Sequence, residues 1–240
     1  MASYAETQTS APLRKSPRQR ITLWAIVRWV AIALALLWAL AALMLLADRW
    51  MNPPITAVHM ERRVQAWINH RPYHERYQFV PLNQISPNLQ HAVIAAEDAR
   101  FYQHHGFDWH AIEIAAEHDA QGGRIRGGST IDQQLIKNLF FGTDRSFLRK
   151  GAEATLVPVA EVVLGKRRIL ELYLNIVEWG PGVYGADAAC HYWYRIPARN
   201  IDRERAAELA AILPRPLKRR PERMKRYSGL ILERMRQMGW

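Results

Sequence analysis

Apolar and polar positions divide the chain into one long apolar run followed by a series of amphipathic segments. Residues 29–47 read WVAIALALLWALAALMLLA, which are 19 uncharged and almost wholly apolar positions. At 1.5 Å per residue this run matches the ~30 Å hydrocarbon core of a bilayer. We therefore predict a transmembrane helix over 29–47, with a buried helix of a soluble protein as the alternative.

The residues around this run predict its orientation. Five basic residues precede it against one acid, which makes residues 1–28 a basic tail that should stay in the cytoplasm. Asp48-Arg49-Trp50 follows in place of a small-residue cleavage site, so the run reads as an anchor rather than a signal peptide. We expect a single-pass protein whose C-terminal bulk lies outside.

Beyond the anchor, the pattern predicts a juxtamembrane segment over 48–79 and a domain over 80–240. Met60, Val64, Trp67 and Ile68 recur at helical spacing, which predicts a short amphipathic helix that lies on the membrane or packs onto the domain. Sustained strand alternation is missing from the sequence, so the fold class is mainly α. The predicted helices cover residues 86–106, 109–119, 129–141, 147–164, 166–177, 203–213 and 222–237, with a loop at 121–128 and a turn at 179–182.

The net charge indicates which class of partner this domain binds. The net charge is +11, of which four charges belong to the basic tail. The remainder favours an anionic partner. Because an exported domain beside a membrane does not normally meet nucleic acid, lipid phosphate is the better candidate. Cys190 is the one cysteine, so an intrachain disulfide is impossible.

The first candidate site lies in the predicted helix 86–106. Glu97, Phe101 and His104 are spaced i, i+4, i+7 and would share one face. A carboxylate beside an aromatic ring is partly desolvated, which raises its proton affinity and suits a general acid or base. The alternative is a surface ion pair between Glu97 and Arg100.

Two further stretches suit an anionic substrate. Glycines at 127–128 lead into a helix that Ser129 could cap, and such a helix start presents N–H groups to an anion. Thr130, Gln134 and Lys137 then share one face, which suits phosphate or sugar hydroxyls. Downstream, Arg149 and Glu153 are i, i+4 neighbours, either as a plain helix ion pair or as a carboxylate held beside a phosphate-binding guanidinium.

Taken in order, these stretches resemble the motifs of the family 51 glycosyltransferases, the peptidoglycan polymerases, over about residues 80–225. The matching stretches are Glu97-Asp98-x-x-Phe101-x-x-His104-x-Gly106-x-Asp108, Gly127-Gly128-Ser129-Thr130-Ile131-x-Gln133-Gln134-Leu135-x-Lys137-Asn138, Arg149-Lys150-x-x-Glu153, Lys166-x-x-Ile169-Leu170-Glu171-x-Tyr173-Leu174-Asn175 and Ala210-Ala211-Ile212-Leu213-Pro214. The resemblance implies a lysozyme-like fold with two lobes around a cleft. It also implies that the substrates are lipid II and the growing glycan strand.

The resemblance further assigns roles to residues. Glu97 would be the general base and Glu153 a second catalytic carboxylate, while Lys137 and Arg149 would stabilise the leaving undecaprenyl pyrophosphate. Glu153 would either bind a divalent cation (Mg or Mn) or orient the cations, and the sequence itself requires no cofactor. The residues expected to bind substrate are Phe101, His104, Ser129, Thr130, Gln134, Lys137, Asn138, Arg149 and Lys150.

Two positions depart from the family pattern. Asp132 stands where the family usually carries Thr or Ser; it either completes a capping box with Ser129 or adds a negative charge near the phosphate site. Pro158 should kink the helix that carries the third motif, which puts the presentation of Glu161 in question.

Alternative functions are a membrane-anchored glycan-cleaving lysozyme-like enzyme and an inactive cell-wall scaffold. Lys137 and Arg149 favour synthesis, because cleavage needs no pyrophosphate cradle. The region beyond residue 225 is too short for a transpeptidase, so cross-linking enzymes or division proteins are expected partners. The expected location is the inner membrane with the catalytic domain in the periplasm.

Overall fold

The computed structural model describes residues 23–120, 128–143 and 146–240, and these are mainly helical. Most of the predicted basic tail and of the predicted loop at 121–128 lies outside the described residues. The described residues form two compact units, 23–37 and Trp38–Trp240.

The first helix is the predicted anchor. Helix α1, Leu23–Asp48, has 26 residues and is long and apolar enough to cross a membrane. Most of its apolar side chains are exposed, whereas a core helix of a soluble protein would bury them. In the second unit, its last turns lie along the domain, where the Trp38 indole donates to the Thr155 hydroxyl at 3.0 Å and Arg49 donates to the Val163 carbonyl at 2.7 Å.

The predicted juxtamembrane helix forms as α2, Ala57–Ile68, and begins at Thr56, whose hydroxyl accepts from the His59 amide. His59 is fully buried and lies against the Tyr184 ring, with 3.8 Å between ring centroids. Trp67, at the other end of the helix, is 77% exposed. The first turns of α2 therefore pack onto the domain, and the last turn presents apolar side chains to the surroundings.

A small sheet lies beneath α2. Its strands are β1 (Arg76–Tyr77), β2 (Glu178–Gly180) and β3 (Val183–Tyr184), in the order β1-β3-β2. β3 pairs parallel with β1 and antiparallel with β2. The predicted turn at 179–182 forms the β2–β3 hairpin. Gly182 has φ +70°, and an added Cβ would lie 2.4 Å from the His74 carbonyl oxygen, so this turn requires glycine.

Helix α3, Pro87–Glu97, begins as predicted, with the Ser86 hydroxyl accepting from the Asn88 amide and Pro87 in the first turn. It ends nine residues before the predicted end at 106. Asp98 leaves the helical conformation with φ −157° and turns its carboxylate toward other elements. The prediction that Glu97, Phe101 and His104 share one helix face is therefore wrong.

Most of the remaining helices overlap the predicted ones, but the helix at Ala186–Tyr194 was not predicted. Helix α5, Ile131–Ile136, continues as a π-helical turn, Lys137–Phe141. Short 3₁₀ turns occur at Leu82–Gln84, Ala198–Asn200 and Pro221–Arg223. The other helices are α4 (Trp109–Ala120), α6 (Phe147–Ile176), α7 (Ala186–Tyr194), α8 (Arg203–Ala210) and α9 (Lys225–Gln237).

Helix α6 is interrupted at Gly165, where φ is +69°. This agrees with the predicted boundary between helices 147–164 and 166–177. Pro158 lies within the helix, and the departure from helical backbone angles lies seven residues beyond the position at which the sequence predicts a kink.

Packing of the long helices brings two helix ends together. Helix α3 lies against α8 and α9, while α5 lies against α6. Large buried side chains fill the space between them, among them Phe101, Tyr173 and Trp179, each 0% exposed. This core places the C-terminal end of α3 opposite α5, and the candidate site lies between them.

Candidate active site

A cavity of about 410 Å³ lies where α3 ends, and seven of the predicted site residues line it. Its walls come from five parts of the chain. They are the end of α3, α5 with its flanking residues, the first turns of α6, helix α9, and the segment that follows α8. The lining residues are Ala96, Glu97, Ser129, Gln133, Gln134, Lys137, Arg149, Lys150, Glu153, Leu213, Pro214 and Tyr227.

Glu97 is the last residue of α3, and its carboxylate accepts a hydrogen bond from Gln134 Nε2 at 2.8 Å. The amide oxygen of Gln134 accepts from the Tyr173 hydroxyl at 2.9 Å, which fixes the orientation of the amide. The alternative ion pair of Glu97 with Arg100 is not formed, because Arg100 bonds to Gln103 and Asp108 instead.

The surroundings of Glu97 favour its protonated form. Burial raises the pKa of Glu97 above its ordinary value, and the hydrogen bond from Gln134 and the charge of Lys137 oppose that rise. A carboxylate whose pKa is raised holds a proton more readily near neutral pH than a solvated glutamate does. This is the property that a general acid or base requires.

Three cations and one further carboxylate occupy the opposite part of the cavity. Arg149 Nη1 lies 2.5 Å from Glu153 Oε1, and Lys150 Nζ lies 3.6 Å from Glu153 Oε2. Glu153 is 2% exposed. Burial lowers the pKa of Lys137, and the charge of Glu153 opposes that effect. With three cations against one carboxylate, this part of the cavity suits an anion.

Arg149 also shows an unused donor. Its Nε–H is buried and has no hydrogen-bond partner among the described residues. A buried donor without a partner is costly, and an anionic ligand in the cavity would satisfy it.

The donor set around Glu153 does not fit a divalent cation. Both of its carboxylate oxygens already face Arg149 or Lys150, and these positive charges would repel a metal ion. A metal-like group of ligands occurs elsewhere among the described residues, at Asp98, His104 and Asp132. There, the Lys166 ammonium lies 3.0 Å from both Asp132 oxygens and occupies the position of a cation.

Phe101 and His104 were expected to bind substrate, and the structure buries both of them outside the cavity lining. Phe101 is 0% exposed, with the Lys166 ammonium 4.5 Å from its ring centroid. His104 Nε2 lies 3.0 Å from the Asp98 carboxylate, which also accepts from the Ile131 amide at 2.9 Å. These residues therefore tie the end of α3 to the start of α5.

Thr130 has a structural role as the N-terminal cap of α5. Its hydroxyl accepts from the Gln133 amide and donates to the Gly106 carbonyl at 2.7 Å, and the Gln133 side chain accepts from the Thr130 amide. The capping box is thus Thr130–Gln133, and the predicted box of Ser129 with Asp132 is wrong. Ser129, freed from that role, lines the cavity.

Asn138 is 6% exposed and lies apart from this cavity. It lines a second cavity of about 340 Å³, which shares Gln134 and Lys137 with the first. The other basic residues of this second cavity are Arg62, Arg215 and Lys218. Lys137 therefore faces two neighbouring spaces.

Asp132 places its negative charge in a buried cluster. It is 0% exposed, and burial together with the nearby Glu161 carboxyl raises its pKa to about 7. Lys166 lies between the two acids, 3.0 Å from Asp132 and 3.2 Å from Glu161. Glu161 therefore belongs to this cluster and does not line the cavity.

Three residues at or next to the site were given no role in the sequence analysis. Tyr173 and Lys166 lie in the fourth motif, so the signal for them was present, although nothing local indicated that they contact Gln134 and Asp132. Tyr227 comes from α9, and its only sequence signal is an aromatic position in an amphipathic helix. Its place in the cavity depends on the packing of α9 against α3.

Comparison with known proteins gives a consistent result. The sequence model of a family described as Transglycosylase matches residues 62–236. Curated relatives named biosynthetic peptidoglycan transglycosylase include one from Pseudomonas putida that is 45% identical over 85% of this chain and 89% of its own. Another, from Pseudomonas fluorescens, is 46% identical over 80% of this chain and 77% of its own.

Proposed function

We propose a residue-level mechanism for this chain, which belongs to the transglycosylase family and is a peptidoglycan glycosyltransferase with a lysozyme-like, mainly helical domain. The substrates in this proposal are lipid II, a disaccharide-pentapeptide on undecaprenyl pyrophosphate, and the growing glycan strand on the same carrier. The product is a linear glycan strand that is one disaccharide longer.

The chemical step joins two lipid-linked sugars. The 4-hydroxyl oxygen of the incoming lipid II attacks the anomeric carbon of the growing strand, and its proton passes to Glu97. The bond from the anomeric carbon to the pyrophosphate oxygen breaks, and undecaprenyl pyrophosphate leaves with the electron pair. Attack from the face opposite the leaving group inverts the configuration at that carbon.

One observation carries this proposal: a carboxylate of raised proton affinity and a group of cations line the same cavity. Lys137, Arg149, Lys150 and Glu153, which we call the pyrophosphate cradle, would stabilise the charge that develops on the leaving group. Glu153 would orient Arg149. Gln134 would hold the Glu97 carboxylate in place, and Ser129 would contact substrate.

The two alternative functions use fewer of these features. A glycan-cleaving enzyme needs a catalytic acid, yet it gains nothing from three cations around a buried carboxylate. An inactive scaffold gains nothing from a carboxylate whose pKa is raised or from a buried Arg149 Nε–H that has no hydrogen-bond partner among the described residues. Neither alternative accounts for the arrangement of charges in the cavity.

The proposed location is the inner membrane, with α1 as a single span, the basic tail in the cytoplasm and the catalytic domain in the periplasm. The apolar helix and the basic residues before it support this orientation. Such a location puts the cavity beside lipid-linked substrate. Cross-linking transpeptidases or division proteins are proposed partners, because a linear strand must still be cross-linked.

Polymerisation of labelled lipid II by the detergent-solubilised full chain tests the function. We expect wild type to make long glycan and release undecaprenyl pyrophosphate, and Glu97→Gln to do neither. Glu233→Gln, on the outer face of α9, is the matched control and should retain activity. Full activity of Glu97→Gln would remove the base assignment, and shortening of preformed glycan by wild type would establish the cleaving alternative.

A further inference from the structure

Helix α2 contacts the segment that leads into the pyrophosphate cradle. Glu61 Oε2 accepts from the Thr143 amide at 2.5 Å, and Glu61 Oε1 accepts from the Thr143 hydroxyl. Both carboxylate oxygens are therefore engaged by a single residue. Hydrogen bonds to an ionised acceptor are among the stronger ones, and we call this pair the Glu61–Thr143 latch.

The latch adjoins two cradle residues through Gly142. The Gly142 amide donates to the Lys137 carbonyl at 3.0 Å, and Arg149 Nη1 approaches the Gly142 carbonyl at 3.5 Å. Gly142 has φ +74°, and an added Cβ would lie 2.5 Å from Glu61 Oε2. The chain thus reverses tightly against Glu61 between the π-helical turn that carries Lys137 and the helix that carries Arg149.

Glu61 is itself held by neighbours on a docked helix. Gln65 Nε2 donates to Glu61 Oε1 at 2.8 Å, and Arg62 Nη1 donates to Gln65 Oε1 at 2.8 Å. Arg62 Nε also donates to the Glu178 carboxylate in strand β2 at 3.0 Å. A continuous series of hydrogen bonds therefore runs from the sheet through α2 to the cradle.

We propose that Glu61 is a positioning residue: through the latch, the helix that follows the membrane anchor holds Lys137 and Arg149 in the geometry that binds pyrophosphate. This inference rests on the proposed function, since it concerns the same cradle. Glu97 and Gln134 lie on α3 and α5, and among the described residues no hydrogen bond joins them to the latch, so loss of the latch reaches the base only through the charge of Lys137.

Loss of the latch therefore has a specific kinetic signature. The affinity for a pyrophosphate group falls and KM for lipid II rises, and kcat falls as well, because the cradle stabilises the leaving group in the chemical step. We expect about a tenfold increase in Kd and in KM, the scale of one hydrogen bond to a charged group. A merely structural role for Glu61 would lower the melting temperature and the amount of active enzyme, and would leave KM unchanged.

The test uses the full chain in detergent and inorganic pyrophosphate as the probe, with Kd measured by titration calorimetry. The variants are Glu61→Ala, Thr143→Val, their double mutant and Thr143→Ser. Glu61→Ala removes both hydrogen bonds of the latch and should raise Kd about tenfold, whereas Thr143→Val keeps the backbone amide donor and should raise Kd less. The double variant should raise Kd no further than Glu61→Ala does, because the carboxylate that accepts both bonds is already absent. Thr143→Ser keeps the hydroxyl and should bind as wild type does. Arg63→Gln, on α2 beside Glu75, is the matched control.

Several outcomes overturn the inference. The first is an unchanged Kd in Glu61→Ala. The second is a double variant in which the losses of binding free energy of the two single variants add. The third is a wild type that binds no pyrophosphate. Lipid II polymerisation measured in parallel separates the two proposals. A wild type that binds pyrophosphate without polymerising lipid II would contradict the proposed function. The Kd values of the variants would still show whether Glu61 positions the cradle.

Discussion

Gln134 donates from Nε2 to the Glu97 carboxylate at 2.8 Å while its amide oxygen accepts from the Tyr173 hydroxyl. The tyrosine hydroxyl has its proton directed at Gln134, since burial keeps the pKa of Tyr173 well above its ordinary value. The amide therefore presents its N–H to Glu97 and stabilises the ionised form of the base. This arrangement sets the proton affinity of Glu97 and can be changed one group at a time.

Replacing Gln134 with Met should shift the acid limb of the pH profile. Met keeps the approximate volume and removes the donor, so the ionised form of Glu97 loses a stabilising contact and its pKa rises further. The acid limb of kcat/KM for lipid II polymerisation should move to higher pH. Gln237→Met, on the exposed end of α9, is the control; an unmoved limb in Gln134→Met would contradict the assigned role.

The wild-type pH profile should be bell-shaped. Activity requires ionised Glu97, so the acid limb should lie above 4.5, the ordinary value for a glutamate. It also requires protonated Lys137, whose pKa burial lowers, so the alkaline limb should lie below 10.5. Lys137→Arg keeps the charge at all accessible pH values. It should therefore move the alkaline limb upward, and an identical limb in that variant would assign it to another group.

Removal of the Lys137 charge should affect the chemical step. By analogy with loss of one oxyanion donor, Lys137→Met should lower kcat by about 10²–10³-fold. The control is Lys225→Met, an exposed cation at the start of α9. Polymerisation rates at saturating lipid II measure the effect. A change confined to KM would mean that Lys137 binds both ground and transition states equally.

Much of the helical framework follows from local sequence signals. Ser86-Pro87 starts α3, and glycine at 165 separates the two parts of α6. The Thr130-x-x-Gln133 capping box was also readable, because it fits the known signature better than the box with Ser129 does. These features depend on residues within one or two turns of each other.

Contacts between distant segments explain what the sequence did not show. α3 ends at Glu97 because Asp98 bonds to His104 and to the Ile131 amide, 33 residues downstream. Phe101 is consequently a core residue instead of a wall of the cavity. Asp132 looked like a capping residue or a charge near the substrate, since its partner Lys166 lies 34 residues away on α6.

The buried cluster of Asp132, Lys166 and Glu161 should be important for stability. Lys166→Met removes the cation that lies between the two acids, so buried carboxyl groups lose their partner. Breaking a buried ion pair from one side costs about 3–5 kcal/mol. We expect a large loss in the free energy of unfolding, measured by denaturant titration in detergent. Lys225→Met should change it little.

A second substitution shows whether the lost stability comes from the ion pair of Lys166 with Asp132 or from packing of the Lys166 side chain. In the double variant Lys166→Met/Asp132→Asn, the carboxylate that Lys166 had paired is also removed, so part of the stability should return. Breaking one side of a buried pair is worse than replacing both sides, because the remaining charge stays without a partner. Additive losses in the double variant would instead show that Lys166 stabilises α6 through packing on the Phe101 ring, 4.5 Å away.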